Sequence, residues 1–287
     1  MILTATAVLL RIISNSFLNA RQKELSSNIS SLCVNFNTYF LLSLFCIPLI
    51  FIMYFTTLNI EIIIWALIGG IFGALGNAFL IEALKNGELS VLGPVNSYKA
   101  VVGLIFSLLI IRETPNLTSI LGIILIICGS YFIFDTTNEG FSTSLLKRKD
   151  IQFRLLALIF TGIEAVFIKK VILLSDAVCS FFLWVIFGCV FSFIILKVFE
   201  KEDVKKVKPC GFKAFLGLSA LVLIMQLSTN FIFARLPVGS ALSLFQLSNI
   251  LNVFLGYKLF NEKHLLKKLA GSIIMVTGSV IIILKGA

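Results

Sequence analysis

Long runs of apolar residues, separated by short polar stretches, set the pattern of this chain. Ten runs can be marked, at residues 2–19, 31–55, 62–84, 91–111, 117–134, 153–172, 177–196, 212–233, 238–260 and 266–284. Within them the apolar residues come in blocks and do not recur along one face only, as expected for a helix surrounded by hydrocarbon. The runs hold 18 to 25 residues each. At ~1.5 Å per residue they reach roughly 27–37 Å, enough for the ~30 Å core of a bilayer. A helix satisfies its backbone hydrogen bonds within one segment, so the expected fold is an all-α membrane protein with ten transmembrane helices. The first run has no basic n-region and no A-x-A-like cleavage site, and Arg11 interrupts it. It is expected to be a helix and not a signal peptide.

Composition agrees: 59% of residues are hydrophobic and 13% charged, whereas soluble domains are closer to half and a quarter. A soluble enzyme is excluded. The longest connections, at 135–152 and 197–211, leave no room for a nucleotide-binding domain, and no G-x-x-x-x-G-K-[ST] occurs. ATP hydrolysis on this chain is therefore not expected. The six cysteines include no C-x-x-C pair, and the one histidine, His264, sits alone in a basic loop, so neither a metal nor a cofactor is expected. The net charge of +10 could suggest nucleic acid, but the basic residues cluster in short loops at 145–150, 201–208 and 261–268. Seventeen Lys and Arg belong to the connections after helices 1, 3, 5, 7 and 9, against five on the other side. That bias places the first set in the cytoplasm and both termini outside.

The chain also repeats itself. Residues 112–133 and 261–282 share the pattern E-x8-G-x6-G-S at a constant offset of 149, pairing Glu113 with Glu262, Gly122 with Gly271, Gly129 with Gly278 and Ser130 with Ser279. The repeat predicts two five-helix halves, 1–135 and 153–287, joined by a loop at 136–152. An odd number of helices per half makes the second half an inverted copy of the first. Inverted repeats are a recurring plan of secondary transporters, whose sites lie near the midplane between the halves. "ALKNGELSVLGPV" at 83–95, the glutamate just past helix 4 and the glycines of helix 5 resemble the EamA-like branch of the drug/metabolite transporter superfamily over nearly the whole chain. The resemblance implies a carrier for small metabolites or drugs in the cell (inner) membrane, with a central cavity. It also implies cytoplasmic termini, opposite to the charge bias.

The spaced glycines read as helix-packing surfaces. Glu113 and Glu262 read as caps at the start of the following helix. Three ionisable groups lie deeper, Arg11, Lys99 and Glu164, and a charge at the bilayer centre costs ~2.5–3.5 kcal/mol on insertion scales. A shared polar cavity would relieve that cost. Glu164 corresponds to Asn15 across the repeat. On helix 4, Asn96, Lys99, Ala100, Gly103 and Ser107 form one stripe, and helix 9 offers Ser243, Gln246, Asn249 and Asn252. Snorkelling to the headgroups is the other reading of Lys99, and interface anchoring the other reading of Tyr98. The expected substrate-binding set is Arg11, Asn15, Asn96, Lys99, Tyr98, Gln246 and Asn249, with Glu164 as a proton-coupling or amine-binding carboxylate. The expected partners are a small-molecule substrate, membrane lipids and a coupled proton, with the chain as a monomer and no nucleic acid. The sequence thus points to a secondary active carrier. A membrane-embedded enzyme or flippase acting on a lipid-linked substrate is the alternative, although it would need clustered carboxylates or a His-based metal site.

Overall fold

In α1 (Ile2–Ser26), Ser14, Ser16, Asn19 and Gln22 are buried while Leu9, Leu10, Ile13 and Phe17 are exposed. That is the reverse of a water-soluble helix, and it is stable only where the surroundings are hydrocarbon. α1 belongs to a computed structural model that describes residues 2–52, 59–99, 101–102, 117–140, 142–200, 212–236 and 238–285. The regular structure among the described residues is entirely helical, and ten spans in two repeats account for it, the ninth of them divided into two helices. The first half holds α1, α2 (Ser31–Ile52), α3 (Ile60–Asn86), α4 (Leu89–Val95) and α5 (Leu117–Phe134). The second holds α6 (Lys149–Leu174), α7 (Ala177–Phe199), α8 (Phe212–Phe233), α9 (Val238–Phe245), α10 (Ser248–Phe260) and α11 (Leu265–Lys285). Several helices outrun their apolar runs. α1 continues through "RQKELS" and α6 begins four residues before Phe153, because straight-chain polar residues favour helix beyond the hydrocarbon.

Equivalent helices pack in equivalent ways. α3 lies along α6 as α1 lies along α8, and α5 crosses α11 next to the pseudo-twofold axis. The repeated glycines make that crossing possible. A Cβ added at Gly129 would lie 2.6 Å from the carbonyl oxygen of Gly271, and one added at Gly271 would lie 2.6 Å from that of Gly129; Gly122 and Gly278 meet in the same reciprocal way. Here backbone contacts backbone, which only small residues permit.

The sequence pattern predicts unbroken helices at 91–111 and 238–260. The structure interrupts both, at Asn96–Ser97 and at Gln246–Leu247. Around each break the backbone tightens to i→i−3 hydrogen bonds: Asn96 N–H to Gly93 O at 3.0 Å and Ser97 N–H to Pro94 O at 2.9 Å, then Gln246 N–H to Ser243 O at 3.1 Å and Leu247 N–H to Leu244 O at 3.2 Å. In the fourth span Pro94 lies two residues before the break, and its missing N–H leaves the carbonyl of Ser90, on the near side of the break, without its helical partner. The ninth span has no proline at its break.

Glu262 caps a helix N-terminus, though not that of the helix following it. Its carboxylate accepts the N–H groups of Leu89 and Ser90, each at 2.8 Å, at the start of α4 in the opposite half. Asn261, in the left-handed conformation that asparagine tolerates, makes the turn that sends Glu262 back along α10. Gly256 leaves room for it, because a Cβ there would lie 2.3 Å from Glu262 Oε2. Lys23 from α1 approaches Glu262 at 3.6 Å, and Lys268, 1% exposed, bonds to Glu88 and to Ser90 Oγ at 2.8 Å. Two ion pairs and a cap thus join the halves on the face that carries the 261–264 loop. Glu113, expected to play the matching part, lies outside the described residues.

Candidate functional site

α1, α2, α3, α6, α7, α8, α9, α10 and the segment just after α4 enclose a polar cavity of about 130 Å³ between the two halves. Its walls come from the middles of long helices. On α3 they are Gly73, Asn77 and Leu80, and on α6 Arg154, Thr161, Glu164, Ala165 and Ile168. The α6 residues recur at i, i+7, i+10, i+11 and i+14, one face of a helix. The two helix breaks meet beside the cavity. Asn96 donates to Gln246 Oε1 at 3.1 Å, and Asn249 donates to Ser97 Oγ and to Gln246 Oε1, both at 3.1 Å.

Six of the residues singled out from the sequence line this cavity: Arg11, Asn15, Asn96, Lys99, Glu164 and Asn249. The remaining two do not. Gln246 is fully buried behind the wall, where it orients Asn96 and Asn249. Tyr98 turns away, its hydroxyl donating to Ser130 Oγ at 2.9 Å on α5. From the helix 4 stripe, Ala100, Gly103 and Ser107 lie outside the described residues.

The charged groups are held from their shafts. Arg11 donates through Nε to Thr229 Oγ1 at 2.8 Å, and its guanidinium carbon lies 4.5 Å from the centroid of the Phe245 ring. Its buried Nη1 has no hydrogen-bond partner. Glu164 accepts the indole N–H of Trp184 at 2.6 Å, and its Oε1 occupies the space that a Cβ on Gly73 would need, 2.2 Å away. Asn15 donates to Ser248 Oγ at 3.1 Å, while Asn77 donates to Asn35 Oδ1 at 2.6 Å. Lys99 shares the cavity with Glu164, but no described carboxylate lies within 4.0 Å of its ammonium group. The wall is therefore rich in amides, holds several cations, and has one carboxylate on a donor that only donates.

The family model described as the EamA-like transporter family matches residues 3–135 and 149–284. The chain belongs to that family. This EamA-like protein is thus an integral, multi-pass membrane transporter of the drug/metabolite type. Its fold is similar to that of a solved structure titled "Crystal structure of protein", with a TM-score of 0.60 at 16% identity, over 99% of this chain and 96% of that one. A search of curated proteins finds no match.

Sequence reasoning about this EamA-like transporter missed Arg154. As the second residue of the run at 153–172, it reads as one of the cations of the preceding loop. The structure places it a turn inside α6, 6% exposed, with Nε donating to Leu92 O at 2.8 Å and the side chain lining the cavity. The signal was the spacing Arg154–Thr161–Glu164, which continues the Glu164 face back toward the helix start. Asn77, Gln226 and Thr229 were missed as well. Asn77 and Gln226 are equivalent at the offset of 149, so the repeat itself could have pointed to them.

Proposed function

We propose that this protein is a secondary active carrier of a small polar metabolite in the cell membrane, working by alternating access to the cavity between its repeats. One observation supports the reading: in a protein with many exposed apolar side chains, polar residues of both halves converge on one cavity beside two broken helices. Broken helices at a repeat interface are where carriers expose backbone and side-chain groups to substrate. In this reading Arg11, Asn15, Asn96, Lys99 and Asn249 bind the substrate, while Gln246 holds two of these amides in place. Glu164 carries the coupled proton. The Trp184 N–H can bond to a Glu164 oxygen in either protonation state, so the carboxyl group stays in position while its charge changes. The inter-repeat contacts at Glu262 and Lys268 close one side, and the tightened turns at residues 96–97 and 246–247 give the halves a place to bend.

The test is counterflow in proteoliposomes containing the purified protein. A labelled substrate outside should accumulate against unlabelled substrate inside, and a proton gradient should drive net uptake. Glu164→Gln should abolish the gradient-driven component and leave counterflow. Hydrolysis or transfer chemistry on a lipid-linked substrate, without flux of any solute, would overturn the carrier reading.

A further inference from the structure

The charge balance of the cavity identifies the class of molecule it takes. Four ionisable side chains with charge-bearing ends line it: Arg11, Lys99, Arg154 and Glu164. The fifth titratable group in the wall, Tyr39, is neutral as a phenol. Arginine does not lose its proton in proteins, so Arg11 and Arg154 contribute two positive charges. Sharing one proton, Lys99 and Glu164 contribute nothing further to the sum. If both are charged they cancel, and if the proton passes from one to the other both are neutral. The sum is +2 in both of these states and +3 when Glu164 takes up the coupled proton beside a charged Lys99, so the cavity stays cationic, and no other described carboxylate lines it to offset the charge. The charged groups nearby, Lys23, Glu88, Asp150, Glu262 and Lys268, are engaged with one another or with Arg148 at the closed face and do not line the cavity.

Two uncompensated guanidinium groups buried within membrane-spanning helices are expensive when the cavity is empty. The hydrogen bonds that fix them both use Nε, to Thr229 Oγ1 and to Leu92 O. Neither bond uses a terminal amino group, and on Arg11 the buried Nη1 has no partner at all. A buried donor without an acceptor is a defect unless a ligand completes it. Guanidinium forks match carboxylate and phosphate oxygens in geometry as well as in charge. The surrounding amides of Asn15, Asn77, Asn96 and Asn249 suit hydroxyl or carbonyl groups between the two charges.

We propose that the substrate is a small organic dianion, a dicarboxylate or a phosphate monoester, held with one oxyanion on Arg11 and the other charge on Arg154. This deepens the carrier reading and rests on it only for the word substrate, since binding can be measured without flux. The experiment is a thermal-unfolding titration of the purified full-length protein with succinate and with glycerol 3-phosphate. Alanine, glycerol and putrescine serve as zwitterionic, neutral and dicationic controls. At least one dianion should raise the unfolding temperature in a saturable way while the controls do not. Arg154→Gln and Arg11→Gln should each weaken the apparent affinity at least tenfold. Arg154→Lys and Arg11→Lys, which keep the charge, should lose less and stand in if a glutamine variant does not fold. Arg235→Gln, at an exposed site away from the cavity, should bind like the parent. Stabilisation by putrescine or glycerol instead, by neither dianion, or equally in parent and arginine variants, overturns the proposal. Counterflow of a cation or neutral solute would keep the carrier reading and defeat the dianion; dianion binding without counterflow would do the reverse.

Discussion

Removing the Glu262 carboxylate should unlock one face of the protein, and the structure sets the size of the effect. In the closed arrangement the carboxylate, 8% exposed, accepts the N–H groups of Leu89 and Ser90 at 2.8 Å each. Hydrogen bonds to a charged group contribute ~1.5–3 kcal/mol each, and a carboxylate at a helix N-terminus adds roughly 0.3–1 kcal/mol. If the halves separate there, water can reach both amides and recover part of that energy. A net bias of about 2–4 kcal/mol toward the closed form remains, a factor of about 30 to 1,000 in the closed-to-open ratio. Glu262→Ala removes this bias. Leu80, which lines the cavity on α3, gives a position from which to read it. In a cysteine-free background, Leu80→Cys should react with a membrane-impermeant thiol reagent at least tenfold faster when Glu262→Ala is present. The acceleration should occur only from the side bearing the 261–264 loop, which vesicles of both orientations distinguish. Glu262→Gln loses the charge and turns an NH2 donor toward one of the two N–H groups while its oxygen still accepts the other, and should accelerate labelling by less than the alanine variant. An unchanged labelling rate in a variant with parental unfolding temperature would refute the latch.

Lys99→Met should leave insertion and folding intact, because the stem is kept and the buried charge removed, yet weaken binding of an anionic substrate by ~1.5–3 kcal/mol; parallel uptake assays corrected for expression check it, and parental uptake would return Lys99 to snorkelling. Glu164→Gln should flatten the pH profile of net flux while exchange survives, and an unchanged profile would leave Glu164 with a structural role beside Trp184. Gly129→Val should prevent accumulation of folded protein, since its first carbon would meet Gly271 O at 2.6 Å and the facing backbone has no side chain to move aside; normal yield on size exclusion would count against the crossing. A reporter fused after Ala287 should report the outside if the Lys and Arg bias governs orientation, and cytoplasmic activity would defeat the charge argument.

Spans and repeats were legible in the sequence because bilayer thickness and backbone hydrogen bonding constrain length and polarity directly. The helix count and the glycine crossing followed from that pattern and from the offset of 149. What escaped was governed by local geometry. Arg154 escaped because a cation at the edge of an apolar run reads as part of the adjoining loop, although the helix starts earlier, at Lys149, and turns that side inward. The break at Gln246–Leu247 has no proline or glycine to announce it. The partner of Glu262 escaped because a cap supplied across the repeat interface carries no sequence spacing. Gln246 belonged to the expected helix 9 set and Tyr98, set beside the helix 4 stripe, had interface anchoring as its other reading; the i→i−3 turn at each break shifts the phase of the helix, so faces counted at 3.6 residues per turn do not carry across it.

The repeat also separates scaffold from chemistry. Where symmetry is kept, the residues are structural: Gly122, Gly129, Gly271 and Gly278 pack reciprocally. Where it is broken, the residues carry charge. Asn15 on α1 corresponds to Glu164 on α6, and at the same offset Arg11 corresponds to Phe160 and Arg154 to Ala5. A duplicated scaffold gives two equivalent frames that can rock about a shared axis, and equivalent frames favour neither side. Unequal charges on those frames let substrate and proton make different contacts as each half moves, and only a difference in interaction between states can bias the equilibrium between them. The two arginines come from opposite halves. A dianion bridging them would therefore contact both moving bodies at once and bind best when the halves are closest together. Arg154→Gln should then reduce substrate protection of the Leu80→Cys thiol more than it changes labelling of the empty protein. Equal effects with and without substrate would show that Arg154 only props the helices apart.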